Sequence, residues 1–462
     1  MSFTDILRGI AARKRLVLEP AHHPEPFGAL DYAEELTLKR EALWTFWQEE
    51  HLPGRPDPVV AAPVPRGYRT TSKRRAAWGA KGLSLSFPGA PERKRGGAAP
   101  GRNPESSTPR LAPSGRGIAS SERGLTPSVL DLPEHTAVYA FLIERIGRPV
   151  AQPLAAALNW VVVRGTAGGL AVILNVRVFD ARVVRAAKLL ADALQAEVRL
   201  GVRSGFLYLD PTRSEYYLEA HRPAESLSFK RLFGPDWLQV DAGEVRLRFP
   251  PTVFSQVNGA MLTIMTESVR SLLAPVGGCD LLDLYCGYGL FSLTSGREAA
   301  RVFGVDSDGP AIAAARANAA HLGCAERVHF LSGRIDGPFL TDRLRAPRTS
   351  EIVLLDPPRQ GTEPGVAAAL AARTPLRVVH LCCGTDEIPR EIAAWFKTGY
   401  QVQRAVPLDL FAGTTNLETL LLLTPLPPPT PKAPRPGPTR KAPLPDPTYK
   451  APLARPRRGR PR

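Results

Sequence analysis

Beyond about residue 250, the chain alternates short apolar runs with patterns of helical period. The apolar runs predict strands, and most of them are separated by a predicted helix. This alternation predicts a doubly wound α/β domain with a parallel sheet over residues 250–424. Ligands of such sheets bind at the carboxyl ends of the strands. The predicted strands are 280–286, 302–306, 327–331, 352–356, 377–383, 401–406 and 419–424.

The region before this domain, residues 129–249, has a different pattern. Apolar runs at 159–165 and 169–179 predict strands, the amphipathic stretch 181–197 predicts a helix, and a further strand follows it. Strands and a helix in this order predict a compact α+β domain. It carries no catalytic motif of its own.

The first 83 residues combine a helical pattern at 30–51 with a basic stretch, "VPRGYRTTSKRRAAW", at 64–78. Tyr68 lies among arginines and lysines in that stretch. An aromatic side chain among cations can stack on a nucleobase while the cations hold phosphates. The alternative is a basic strand that only faces solvent.

Composition separates two segments from these domains. Residues 84–128 and 425–462 are rich in Pro, Gly, Ser and Arg and contain few large apolar side chains, so both are predicted to be disordered. They carry formal charges of +4 and +9, which is most of the +16 of the whole chain. A basic balance favours a polyanionic partner, usually a nucleic acid, with the tails as electrostatic arms or as solubilising segments.

The cysteine pattern argues against several classes of protein. Five cysteines in 462 residues, without CxxC spacing, predict a reducing compartment and neither a metal site nor an iron–sulfur cluster. The lack of a run of about 18 apolar residues predicts no membrane helix. The start of the chain does not resemble a secretory signal, so we expect a cytoplasmic protein.

The strand at 280–286 runs into a turn with the sequence "CGYG" and then a helix. Gly287 and Gly289 allow a tight turn and a close approach of the backbone to a ligand. Asp306, at the end of the next predicted strand, can accept hydrogen bonds from a ribose diol. Because the third glycine of the dinucleotide fingerprint is missing, this series favours S-adenosylmethionine over a nicotinamide cofactor.

Three further strand ends carry reactive side chains. Asp356 ends a buried run and is followed by two prolines, which give the backbone a rigid, extended path. Cys382 and Cys383 end the next strand, where alternation places them on opposite faces, so one can be core while the other faces a cleft. Glu418 opens the last apolar run, and a carboxylate near a thiol and a base can remove a proton. Two buried, unreactive cysteines are the alternative.

In this order the motifs resemble those of the S-adenosylmethionine-dependent RNA 5-methyluridine methyltransferases, which modify uracils in tRNA and 23S rRNA. The resemblance covers about 250 to 424. The motifs are "FSQVNGAM" (254–261), "LDLYCGYGLF" (282–291), "FGVDSDGPAIAAARANA" (303–319), "LLDPPRQG" (354–361), "HLCCGT" (380–385) and "DLFAGTTNLETLLLL" (409–423).

The resemblance implies a Rossmann-like methyltransferase domain preceded by an RNA-facing domain, with tRNA or rRNA as the partner. We expect the protein to be a monomer. It implies that Cys383 is the nucleophile and Glu418 the general base of a uridine C5 methylation. The cysteine would add to C6 of a flipped uridine, and C5 would take the methyl group. The implied contacts of S-adenosylmethionine are Gln256, Tyr285, Gly287, Asp306 and Asp356.

The chain also departs from the family's pattern. Gly384 and Thr385 follow the nucleophile in place of Asn-Pro, and Ala412 and Asn416 replace Pro and His in the closing motif. Three alternatives are a cytosine-C5 RNA methyltransferase, an amino-group methyltransferase, and an RNA-binding protein on a decayed methyltransferase scaffold. The cytosine enzymes usually have a second cysteine after Asp-Pro-Pro, where this chain has Arg359.

Overall fold

The computed structural model describes residues 1–20, 23–80, 82–87, 124–211, 229–344 and 346–427. Its helices and strands all lie within one compact unit, residues 1–425. The predictions of disorder for 88–123 and for the tail from 428 onward fall outside the described residues. Residues 84–86, which lie at the start of the segment predicted to be disordered, belong to a strand.

Several helices begin where the sequence offers a capping side chain or a proline. The side chains of Ser2, Asp31 and Asp180 accept hydrogen bonds from the first backbone N–H groups of their helices. The helices are α1 (Phe3–Arg13), α2 (Tyr32–Glu49), α3 (Pro133–Ile146), α4 (Gln152–Ala157), α5 (Ala181–Ala196), α6 (Leu262–Leu273), α7 (Leu290–Leu293), α8 (Gly309–His321), α9 (Gly337–Asp342), α10 (Val366–Ala371) and α11 (Ile388–Lys397).

A six-stranded sheet forms the central part of the chain, in the order β2-β1-β3-β4-β5-β6. Only β4 and β5 pair in parallel, and α5 connects them. Residues 71–78 of the basic stretch form most of β1, which lies next to the edge strand β2, so this stretch is part of the central sheet rather than a separate element. The strands are β1 (Thr71–Gly79), β2 (Gly82–Ser86), β3 (Leu158–Arg164), β4 (Leu170–Val176), β5 (Val202–Leu209) and β6 (Phe229–Phe233).

A two-stranded hairpin and a seven-stranded sheet follow. The hairpin consists of β7 (Leu238–Ala242) and β8 (Val245–Phe249). The large sheet has the order β11-β10-β9-β12-β13-β15-β14. Its strands are β9 (Asp280–Leu284), β10 (Arg301–Asp306), β11 (Val328–Ser332), β12 (Glu351–Leu355), β13 (Arg377–Cys382), β14 (Tyr400–Leu408) and β15 (Glu418–Pro425). All seven predicted strands are therefore confirmed.

The prediction that this sheet is wholly parallel is wrong for one strand. β15 runs antiparallel to both of its neighbours, β13 and β14. A nine-residue loop, 409–417, joins β14 to β15 as a hairpin, whereas parallel neighbours need a long crossover. The first residue of β15 therefore lies at the carboxyl end of β13.

The two N-terminal helices pack against the large sheet. Leu7 of α1 and Phe46 and Trp47 of α2 share one buried cluster with Leu282 of β9 and Val353 of β12. Amphipathic helices gain their stability by burying such a face. The first 83 residues are therefore divided: α1 and α2 pack on the large sheet, whereas β1 belongs to the central sheet.

Among the described residues, no helix is both long and apolar enough to cross a membrane. The same part of the chain contains no cluster of His, Cys, Asp and Glu side chains that could hold a metal ion.

Candidate functional site

The candidate site lies at the carboxyl edge of the large sheet. Asp306 ends β10, Tyr285 follows β9, Asp356 follows β12 and Cys383 follows β13. The fifth side chain, Glu418, opens antiparallel β15 and so reaches the same edge. These five positions belong to five adjacent strands, because the sheet order is β10-β9-β12-β13-β15 across this part.

The turn after β9 has the conformation that its glycines predict. Tyr285, Gly287 and Gly289 have φ angles of 63°, 53° and 88°, in the left-handed region. A Cβ on Gly289 would lie 3.0 Å from Leu293 and 3.1 Å from Phe330, so only glycine fits there. The turn leads directly into α7 and leaves its backbone open towards the sheet edge.

Asp306 is held by backbone N–H groups on both oxygens. Gly287 donates to Oδ2 at 2.9 Å and Asp308 donates to Oδ1 at 2.8 Å. Burial raises the pKa of Asp306, although these hydrogen bonds oppose the shift. Each oxygen keeps a further lone pair, so the carboxylate can accept hydrogen bonds from two neighbouring hydroxyls. Asp308 is the N-cap residue of α8, as its position predicts.

The two adjacent cysteines face opposite sides of the sheet. Cys382 is buried in the cluster that contains the N-terminal helices, and Cys383 packs partly buried against the other cluster. The alternation of a strand separates them in this way. Cys382 is thus a core residue, and only Cys383 faces the candidate site.

Cys383 and Asp356 form a hydrogen-bonded pair. The Cys383 thiol donates to Oδ1 of Asp356 across 3.3 Å. Burial raises the pKa of Cys383 well above its usual value, and the nearby Glu418 and Asp356 carboxylates raise it further. Burial also raises the pKa of Asp356 to about 7, even though the thiol hydrogen bond lowers it. The Cys383 thiol is therefore neutral near pH 7, and it is hydrogen-bonded to a carboxyl group whose pKa lies close to that pH.

Glu418 is a buried carboxyl group with a free oxygen. In the sheet, Glu418 pairs with Leu408 of β14. The next residue, Thr419, pairs with Cys382 of β13. Within the described residues, Oε2 of Glu418 has no hydrogen-bond partner, and the residue is 3% exposed. Burial raises the pKa of Glu418 to about 8, with a contribution from Asp356. Once ionised, a carboxylate with such a pKa is a stronger proton acceptor than an ordinary glutamate.

Gln256 is the one predicted site residue that does not lie on the large sheet. It belongs to the loop between β8 and α6 and lines a cleft of about 660 Å³. The cleft is also lined by Arg203 of the central sheet, the glycine-rich loop 165–169 and Trp237. It is thus built from residues of the central sheet and from residues on both sides of β8.

Two side chains near the site were not predicted as functional. Arg359 lies after the two prolines, and its charge lowers the pKa of Glu418 against the larger effect of burial. Asp283 is fully buried behind the glycine turn, where Ser292 donates to it at 2.5 Å and burial raises its pKa to about 7. The sequence signal for Asp283, a charged residue inside an apolar strand, was available in "DLLDLYCG".

Comparison with protein families finds a match to this domain. The model of the tRNA (uracil-5-)-methyltransferase family matches residues 220–425. This stretch of the chain is similar to that family. The resemblance inferred from the motifs is thereby confirmed.

Relatives of the methyltransferase domain come from several bacteria. An uncharacterized RNA methyltransferase of Thermosynechococcus vestitus is 34% identical over 194 residues, which are 42% of each chain. The 23S rRNA (uracil(1939)-C(5))-methyltransferase RlmD of Acidithiobacillus ferrooxidans is 32% identical over 181 residues, 38% of this chain and 40% of that protein. The chain thus spans well under half of the length of the curated relatives that it matches.

A solved structure resembles nearly the whole fold. It is the Pyrococcus abyssi tRNA (uracil-54, C5)-methyltransferase in complex with S-adenosyl-L-homocysteine, with a TM-score of 0.60 and 18% identity. The match covers 88% of this chain and 87% of the other. The α/β fold class predicted for the C-terminal domain, with a second domain before it, is confirmed by this likeness.

Proposed function

We propose that this protein transfers a methyl group from S-adenosylmethionine to C5 of a uridine in tRNA or rRNA. The observation that carries the proposal is the convergence of Cys383, Asp356 and Glu418 on three adjacent strand ends, with the thiol already donating to a carboxylate. A nucleophile with a proton acceptor at hydrogen-bond distance, and a second carboxyl group close by, is the arrangement that covalent activation of a pyrimidine requires.

The first step uses the Cys383–Asp356 pair. Asp356 takes the thiol proton, and the thiolate adds to C6 of the uracil ring, so that the C5–C6 π electrons move onto C5 and O4. When bound, S-adenosylmethionine would supply an electrophilic methyl group to C5, with cleavage of its S–CH3 bond and release of S-adenosylhomocysteine. Glu418 then takes the proton from C5, the C5–C6 double bond forms again, and the cysteine leaves as a thiolate. Asp356 returns its proton to that thiolate, and Glu418 loses the C5 proton to solvent.

The cofactor would lie along the ends of β9 and β10. The glycine turn with Gly287 brings backbone close to it, Asp306 accepts from its ribose hydroxyls, and Tyr285 and Gln256 provide further contacts. The donor set fits, because the Asp306 carboxylate is preorganised by two backbone N–H groups and remains open to hydroxyl donors. Asp356 lies between this half of the site and Cys383.

The reaction itself is tested by incubating the protein with S-adenosylmethionine carrying a labelled methyl group and with unmodified transcripts of tRNA and 23S rRNA. We expect label in 5-methyluridine after digestion of one of the RNAs to nucleosides. Label in 5-methylcytidine or in an exocyclic amine would favour the alternative methyltransferases. Salt-sensitive RNA binding without methyl transfer would favour a decayed scaffold.

The cofactor assignment predicts the behaviour of Asp306→Asn. Loss of the charged acceptor should weaken S-adenosylmethionine binding by about tenfold or more, because a hydrogen bond to a charged group contributes about 1.5–3 kcal/mol. Titration calorimetry measures this directly. The matched control is Asp308→Asn, the same substitution two residues away, because the Asp308 side chain makes no capping hydrogen bond to α8 and asparagine is as favourable as aspartate at an N-cap position. Equal affinity of both variants would contradict the ribose role of Asp306.

The two raised carboxyl pKa values predict a pH dependence. Asp356 and Glu418 must both be unprotonated to accept protons, and their pKa values are about 7 and about 8. We therefore expect kcat/KM for methylation to fall as the pH decreases through this range and to level off above it. The two groups interact, so the measured values belong to the pair. A rate that is flat from pH 6 to 9 would argue against both roles.

The RNA is proposed to enter through the cleft beside Gln256. Arg203 and Trp237 line it, and Phe254 next to it is 57% exposed. Cations and exposed aromatic rings are the groups that hold unstacked nucleotides. A monomeric state, a cytoplasmic location and the absence of a metal or iron–sulfur cluster remain predictions.

A further inference from the structure

The loop that precedes Glu418 is anchored by a buried cluster of charges from the N-terminal helix α2. This loop, residues 409–417, connects the paired positions Leu408 and Glu418 of the β14–β15 hairpin. Its conformation therefore determines where the backbone of Glu418 enters the site. Nothing in the reaction proposed above uses the charges that hold it.

Lys39 of α2 is the centre of this cluster. Its Nζ lies 2.8 Å from Oε1 of Glu35 and 2.7 Å from Oδ1 of Asp409, and all three side chains have an exposure of 0%. The same Nζ donates to the Phe411 carbonyl at 3.4 Å. Glu35 also pairs with Arg66 at 2.9 Å, so two positive and two negative charges balance.

The cluster holds backbone groups of the loop as well. The Gly413 N–H donates to Oε1 of Glu35 at 2.6 Å, and the Gly413 carbonyl accepts from the Phe27 N–H at 3.1 Å. Tyr68 donates its hydroxyl proton to the Ala412 carbonyl at 2.8 Å. Gly413 has a φ of 88°, and a Cβ there would lie 2.6 Å from Leu130, so the loop has little room to move.

Buried ion pairs usually cost as much in desolvation as they return in attraction. Three fully buried charges, balanced by the partly exposed Arg66, are therefore poor evidence for stability as such, and better evidence that one geometry is being specified. Oε2 of Glu418 has no hydrogen-bond partner among the described residues, so its own contacts do not fix its direction. Its direction therefore depends on the position of its backbone, which the anchored loop constrains together with the pairing of Glu418 with Leu408.

We propose that Lys39 and Glu35 are positioning residues for the general base Glu418, acting through the 409–417 loop. The inference rests on the proposed methylation. It makes α2 a part of the catalytic unit, although Lys39 and Asp409 are 370 positions apart in the chain. An error in the direction of a base slows proton removal from C5, while the attack of Cys383 on C6 continues.

The test compares Lys39→Met with wild type on unmodified tRNA and 23S rRNA transcripts. We expect methylation to slow by about tenfold or more, because misplacement of a reacting group by about 1 Å is that costly. Denaturing gels should show a covalent protein–RNA adduct that accumulates on ordinary uridine. Adduct formation with 5-fluorouridine RNA should stay within about twofold of wild type, since that step does not need the base.

Arg373→Met is the matched control for simple destabilisation. It breaks the ion pair between Arg373 and Glu351, whose charged atoms are 2.6 Å apart and whose side chains are 12% and 4% exposed. Glu351 lies at the amino end of β12, which is the opposite edge of the sheet from the candidate site. Arg373→Met should lower the melting temperature without trapping an adduct. Tyr68→Phe is a milder second variant, to be used if Lys39→Met does not fold. It removes only the hydroxyl that donates to the Ala412 carbonyl, and it should also lead to accumulation of the adduct.

Two results would overturn the inference, and they are distinguishable. In the first, the wild-type protein methylates the RNA, but Lys39→Met or Tyr68→Phe behaves as Arg373→Met does, with slower methylation and no trapped adduct. This result removes the positioning role alone. A wild-type protein that neither methylates the RNAs nor forms an adduct with their 5-fluorouridine forms removes the reaction and the positioning role together.

Discussion

Replacement of Cys383 by alanine is expected to abolish both methylation and adduct formation. In the proposed reaction the Cys383 thiol forms the bond to C6, and Asp356, to which the thiol donates across 3.3 Å, accepts its proton. The assay mixes the protein with S-adenosylmethionine and 5-fluorouridine-substituted tRNA or rRNA. Fluorine at C5 cannot leave as a proton, so the cysteine stays bonded and the adduct survives denaturation.

Cys382→Ala is the control for this experiment. Cys382 is chemically identical, adjacent and buried on the other face of β13. Its replacement should retain adduct formation and methylation and cost about 1 kcal/mol of stability, as is typical for a core substitution. Full methylation by Cys383→Ala would show instead that the enzyme works without a covalent step, as an amino-group methyltransferase does.

Replacement of Glu418 by glutamine is expected to give the second largest effect. A general base contributes about 10²- to 10⁴-fold, and the rate of methylation should fall by that amount. Cys383 can still attack, so a covalent intermediate should accumulate on ordinary uridine, where the wild type shows little. Quench-flow sampling followed by denaturing gels measures both quantities on the same reaction.

Glu351→Gln provides the matched comparison. Glu351 is also the first residue of a strand in the same sheet and is 4% exposed, against 3% for Glu418. It lies at the amino edge, away from Cys383, so its replacement should reduce stability without trapping RNA. If Glu418→Gln methylated at the rate of Glu351→Gln, another group would have to remove the C5 proton.

Much of the site could be predicted from the chain alone, for a local reason. Apolar runs predict strands, and the reactive residues Asp306, Asp356 and Cys383 come directly at or after the ends of such runs. In a parallel sheet these ends must meet at one edge. The left-handed turn at Gly287 also follows from its own sequence, because few residues other than glycine adopt it without strain.

The role of Glu418 depended on a feature that no local pattern shows. The run 419–424 predicts a strand but not its direction. If β15 ran parallel to β13, its first residue would lie at the amino edge, far from Cys383. The antiparallel hairpin after β14 reverses it and brings the carboxylate into the site.

The sequence by itself therefore determined the strands of the C-terminal domain, the glycine turn and the separation of Cys382 from Cys383, since each depends on neighbouring residues. The tertiary structure decided the direction of β15 and the packing of α1 and α2 on the large sheet. It also decided the meeting of Lys39 with Asp409 at 2.7 Å. These contacts join positions hundreds of residues apart, and only the burial of apolar faces and the pairing of buried charges selects them.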